Sequence, residues 1–134
     1  MNFENQLEQL GLILPSPAKP AGSYKPCLIV DNIAYISGQG PLLEDGSFAK
    51  GVIGKDIDIE TGQKHAQKCG LAILSALKNE IGDLNKVDQL IKITGFVNCT
   101  SDFTQQPLVI NGCSDLMKEI FGDKGVHALS LIHI

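Results

Sequence analysis

Apolar positions along this chain change period several times, and each change marks an element. Phe3, Leu7 and Leu10 recur at the i, i+4, i+7 spacing of one helical face, and Gly11 follows as a natural stop. The run Pro15-Ser16-Pro17-Ala18-Lys19-Pro20 cannot sustain a helix and predicts extended chain. Residues 1–21 are therefore expected to form an appendage that packs onto one main domain. Next, Cys27-Leu28-Ile29-Val30 and Ile33-Ala34-Tyr35-Ile36 flank Asp31-Asn32. Both turn residues tolerate positive φ, so the segment predicts a hairpin with a two-residue turn. Ser37-Gly38-Gln39-Gly40-Pro41 ends the second strand abruptly, and residues 47–57 read as a loop with a short strand.

Asp58 is a good N-cap for a helix running to about Glu80. Ala66, Cys69, Ile73, Leu77 and Ile81 keep a spacing of three to four, and Gly82 stands where the helix should end. Residues 90–97 read as a strand broken once by Gly95. Pro107 can open a helix, because its missing N–H is not needed there. Val109, Cys113, Leu116, Met117 and Ile120 give that helix an apolar stripe, and residues 128–134 form a last strand. Strand, helix and strand make a right-handed β-α-β unit with parallel strands. The economical packing is α/β: two long helices on one face of a mixed sheet. No helix remains for the other face, so partner subunits are expected to cover it.

Composition adds little and excludes more. A chain of 134 residues, 43% hydrophobic and 19% charged, fits one globular domain. The N-terminus has no basic stretch leading into an apolar one, and no apolar run approaches a membrane span, so neither a signal peptide nor a membrane partner is expected. The net charge is −4, and the 11 basic residues, all lysines, are scattered rather than clustered, which makes nucleic acid a poor partner. Cys27, Cys69, Cys99 and Cys113 form no CxxC pair and sit in apolar or helical settings. They read as reduced core thiols, which suits a cytoplasmic protein.

The chemistry-bearing residues are few. No phosphate loop, dinucleotide motif, zinc-protease motif or nucleophile elbow occurs. Asp56, Asp58 and Glu60 alternate, but a solvated edge and a helix cap explain them better than a metal site. His65 reads as solvated on a helix exterior, and His127 as structural at the start of the last strand. Ser37-Gly38, at the end of a strand, could expose backbone groups to a ligand. A strand-to-loop corner that needs glycine explains it at least as well. Tyr24 could line a site or fill a core, and Asn111 falls at the beginning of a helix, where Asn is common.

Ala21-Gly22-Ser23-Tyr24 and Tyr35-Ile36-Ser37-Gly38-Gln39 resemble the first half of the RidA/YjgF family of reactive-intermediate deaminases. Thr94-Gly95-Phe96-Val97-Asn98, Asp102-Phe103 and Val109-Ile110-Asn111-Gly112 resemble its second half. The longer N-terminus with Leu14-Pro15 matches a bacterial subgroup, and the similarity covers about residues 12–128. The resemblance implies a chorismate-mutase-like α/β fold and a homotrimer with ligand clefts between subunits. It also implies hydrolysis of enamines or imines, such as 2-aminoacrylate, to 2-keto acids and ammonia, with no metal or organic cofactor. Carried over residue by residue, Ser37 and Gly38 would be catalytic, contacting substrate or water, while Tyr24 and Asn111 would bind substrate in the cleft. The family has also carried a ribonuclease label, which the acidic charge here argues against.

Two expected groups are absent. The family's carboxylate-clamping arginine should follow Gly125-Val126-His127-Ala128, where this chain has Leu129. Its late glutamate should lie on a further strand, beyond Ile134. The residues Leu129-Ser130-Leu131-Ile132-His133-Ile134 also resemble the translation of a sequencing-adapter junction, which predicts a gene that continues differently past about Ala128. The resemblance thus implies a deaminase impaired in this chain. The alternative is a non-catalytic homotrimer that binds a small metabolite.

Overall fold

The computed structural model describes residues 2–134. In chain order its elements are α1 (Phe3–Gln9), β1 (Cys27–Val30), β2 (Ile33–Ile36), α2 (Ile59–Ile81), β3 (Lys92–Val97), α3 (Gln106–Phe121) and β4 (Ala128–His133). Short 3-10 turns at Leu84–Lys86 and Gly122–Gly125 follow the two long helices.

Local chemistry accounts for most boundaries. Asp31 and Asn32 take φ of 50° and 63°, the left-handed pair that a tight hairpin turn requires. Asp58 caps α2 by accepting a hydrogen bond from the Thr61 N–H at 2.8 Å. Gly82 closes that helix at φ 84°, a conformation costly for any residue with a side chain. The first helix is shorter than its apolar spacing predicts. It ends at Gln9, so Leu10 becomes its C-cap and stays 38% exposed. Residues 47–57 contain isolated bridges, Leu42 with Phe48 and Ile53 with Ile57 and Cys99, rather than a strand.

The two long helices form one layer and cross closely. A Cβ on Gly112 would overlap the Gln63 carbonyl oxygen, so only glycine allows this approach of α3 to α2. Leu74 and Leu77 of α2 and Leu116, Met117, Ile120 and Phe121 of α3 share one core with Cys27 and Leu84. Helix α1 is part of that core. Phe3 and Leu7 are buried, and the Phe3 ring meets Phe121 edge-on at a centroid distance of 4.8 Å. Asn85 draws the helix in by accepting from the Phe3 N–H at 2.6 Å. A second cluster joins Ile53, Val97 and Cys99 to Val109 and Ile110.

Both strand pairs lie on this helix layer, as the α/β reading expects. Strands β1 and β2 are antiparallel, with Leu28 opposite Tyr35 and Val30 opposite Ile33. Strands β3 and β4 are parallel, with Ile93 beside Leu129 and Phe96 beside Ile132. The antiparallel and parallel pairs do not join, however, and form separate two-stranded sheets. Leu28, Val30, Ile33, Tyr35, Phe96 and Ile132 are exposed on these strands.

Candidate functional site

Between the two strand pairs lies a cavity of about 1700 Å³. Its walls include Ile33 to Gly38 of β2 and its end, and Leu90 to Asn98 of β3 and its flanks. Ala66, Cys69, Ile73 and Leu77 of α2, with Cys113 and Met117 of α3, form its floor. No residue of β4 lines it, so the strands run in the spatial order β1, β2, cavity, β3, β4.

Ser37 and Gly38 line the cavity together. The expectation that both expose their backbone holds only in part. The Ser37 N–H donates to the Pro26 carbonyl at 2.9 Å, which extends the hairpin by one pair. Its hydroxyl donates to the Lys25 carbonyl at 2.7 Å, and its own carbonyl accepts from the Gln39 side chain at 3.2 Å. Gly38 has no hydrogen bond to its N–H among the described residues. A Cβ added there would meet nothing within 4 Å. The free donor at this corner is therefore Gly38, and Ser37 holds the corner's shape.

Tyr24 and Asn111 do not line the same cavity. Tyr24 is half exposed, and its hydroxyl accepts from the Ala21 N–H at 3.2 Å, within its own loop. Asn111 is the sixth residue of α3, beyond the first turn that the sequence suggests, because the helix already begins at Gln106. It is half-buried.

His65 departs from its expected place. It is half-buried and lines the cavity instead of facing solvent. A signal for this exists in the sequence: His65 stands four residues before Cys69 and eight before Ile73, on the stripe those residues define. Lys50, Lys86 and Lys92 also line the cavity against the one carboxylate of Asp88, so its charge opposes the net −4 of the chain.

Burial raises the Cys69 thiol to about 11. Cys113 is pushed up to about 12 by burial first and by the neighbouring Cys69 second. Both are neutral thiols, not nucleophiles. All four cysteines are free, and Cys27, Cys99 and Cys113 are buried. His127 lies outside the cavity and is structural. One ring nitrogen is 3.0 Å from the Ser114 hydroxyl, and the other is 2.8 Å from the Ala128 carbonyl. No group of three or more His, Cys, Asp or Glu among the described residues could hold a metal ion. No described helix is long and apolar enough to cross a membrane.

A family model described as "YjgF/chorismate_mutase-like, putative endoribonuclease" matches residues 4–133. The chain belongs to the YjgF/chorismate-mutase-like family. Protein TCP17 of Trypanosoma cruzi is 36% identical over 123 residues, 91% of this chain and 77% of that protein. A solved structure from Agrobacterium tumefaciens, of a protein of unknown function, is 37% identical with a TM-score of 0.87, covering 98% of this chain and 80% of that one. A Shewanella oneidensis structure carrying the description "putative endoribonuclease" is 30% identical with a TM-score of 0.95, covering 100% of this chain and 89% of that one. These neighbours give the chain its fold: a YjgF/chorismate-mutase-like α/β arrangement.

In this YjgF-family chain Leu129 stands beside Ile93, so its side chain shares the face that the ladder turns toward the helices at Gly95 and Val97. It is 38% exposed and lines neither strand edge of the cavity.

Proposed function

We propose that this chain carries the ligand pocket of a RidA-like deaminase, a cytoplasmic homotrimer that hydrolyses enamine or imine intermediates such as 2-aminoacrylate. The observation that carries the reading is the free Gly38 N–H in the lining of a cavity in a YjgF-family chain. Water adds to the imine carbon, and the resulting carbinolamine collapses to a 2-keto acid and ammonia. A free backbone N–H can donate to a substrate carboxylate or to the added oxygen, and such preorganised donors work by positioning and electrostatics. Ser37 would keep Gly38 in place through its bond to Lys25. Tyr24 and Asn111 would act in a cleft shared with a neighbouring subunit, since neither lines this cavity.

Leu129 favours low turnover. An arginine clamp on a carboxylate is bidentate and charge-assisted, and removing one partner of such a pair costs roughly 2–5 kcal/mol. The same observation favours the second reading, a non-catalytic trimer that holds a small carboxylate. Lys50, Lys86 and Lys92 offer that anion a positive surround. Nucleic-acid cleavage fits less well, because the chain is acidic and its lysines are scattered.

The test has two measurements. Titration of 2-ketobutyrate should shift the Gly38 amide resonance saturably. Leu129→Arg, joined to a C-terminal strand bearing a glutamate, should raise ammonia release from 2-aminoacrylate by roughly 10²-fold over the native chain. Binding without turnover in either protein supports the metabolite-binding reading. A Gly38 amide that ignores the keto acid in both proteins overturns both readings.

A further inference from the structure

A second cavity, of about 550 Å³, is bounded by α1, the segment that follows it and the last turns of α2. It shares no lining residue with the large cavity. Two anchors shape it. Gly11, at φ 67°, turns the chain at the end of α1, and the Leu12 N–H bonds back to the Leu7 carbonyl at 3.0 Å. Farther along, the hydroxyl of the buried Ser75 of α2 donates to the Pro15 carbonyl at 2.6 Å. The strap held between these anchors gives the cavity its apolar side, Leu12, Leu14, Pro15 and Pro17.

The polar lining favours a cation. Pro15 and Pro17 have no N–H to offer. Lys78 is the only cationic side chain in the lining, and its charge is met by Glu4 at 2.8 Å. Glu8 also lines the cavity, and its carboxylate has no ion pair among the described residues. Two carboxylates against one ammonium leave the lining net negative. The C-terminal end of α2 adds to that sign, because helix carbonyls gather there. The Lys78 carbonyl is taken by the Gly82 N–H at 2.7 Å and the Ile81 carbonyl by the Lys86 ammonium at 2.9 Å. The carbonyl of Asn79, another lining residue, has no such partner among the described residues.

We infer that this cavity binds a small primary amine with an apolar body, as its ammonium ion. An ammonium brings one positive charge and three donors, with no acceptor. Glu8 and the Asn79 carbonyl supply the complementary acceptors. An aliphatic or aromatic body lies against Leu12, Leu14 and the two prolines. The volume falls within the roughly 300–1,000 Å³ of small-molecule pockets. A carboxylate of the same shape would meet Glu8 and the negative helix end, and is disfavoured.

The probe is phenethylamine, titrated to about 10 mM, enough to saturate a site of millimolar affinity. Its neutral and anionic counterparts are 2-phenylethanol and 3-phenylpropionate. Phenethylamine should shift the amide resonances of Glu8, Leu12, Leu14, Ser75 and Asn79 saturably, and both counterparts should bind more weakly. Glu8 is exposed, so Glu8→Gln should fold normally, with thermal unfolding as the check. It should weaken the amine by roughly three- to fivefold, the worth of one exposed ion pair, and leave the alcohol unaffected. Added salt should do the same in the unaltered chain, which needs no variant. Equal affinity for all three probes overturns the proposal. So does amine binding that ignores both Glu8→Gln and salt, or the absence of saturable shifts at these residues.

Discussion

The hydroxyl of Ser37 donates to the carbonyl of Lys25 at 2.7 Å, closing the end of the hairpin twelve residues downstream. This bond lets Gly38 leave the strand with its own N–H free. Ser37→Ala should therefore cost about 1 kcal/mol, the net worth of one exposed hydrogen bond, read as a shift in the urea midpoint at unchanged slope. Gly38→Ala should leave stability within about 0.5 kcal/mol, since nothing stands near the added methyl. It should still weaken 2-ketobutyrate binding, because the methyl crowds the approach to the N–H. A destabilised Gly38→Ala with intact binding would reverse these assignments.

Gly112→Ala has no such room. Its methyl would overlap the Gln63 carbonyl, and backbone cannot rotate aside as a side chain can. The helices must separate, which should cost about 3 kcal/mol. Thermal unfolding against Gly38→Ala as the control measures the difference.

Glu4 holds α1 through two contacts. It pairs with Lys78 at 2.8 Å and accepts from the Leu84 N–H at 2.9 Å. Leu84 is fully buried, so Glu4→Ala leaves its amide without a partner. The cost should be about 2 kcal/mol. Cleavage within residues 10–20 under limited proteolysis should accelerate before the core unfolds.

Cys69 and Cys113 make the fold alkali-sensitive. Their folded values stand at about 11 and about 12, above the ordinary 9.0. The folded state therefore keeps protons that the unfolded state releases. Their contribution is fully present below pH 9 and is lost as pH rises from there through about 12. A chemical-denaturation series from pH 8 to 11 should show stability falling, and Cys113→Ala should flatten that fall. Alkylation of Cys69 at pH 8 should be slower than that of an unstructured thiol, because so little thiolate is present.

Much of this protein is local and so could be read from its residues in order. The Asp31-Asn32 turn, the Asp58 cap, the Gly82 stop and the Pro107 opening each depend on backbone angles or donors within a few residues. The period of Ala66, Cys69, Ile73 and Leu77 gives the buried face of α2 in the same way. The family resemblance, carried by short words in a fixed order, implies the fold class without tertiary information.

What the sequence could not decide are relations between distant segments. Nothing near residue 37 says that its hydroxyl and amide are spent on Lys25 and Pro26, or that Gly38 keeps the free donor. The position of His65 at a cavity, rather than in solvent, depends on where β2 and β3 lie over α2. The split into two strand pairs is likewise a tertiary fact. Strand pairing is long-range hydrogen bonding, and a sequence specifies which residues can pair but not which edges end up facing each other.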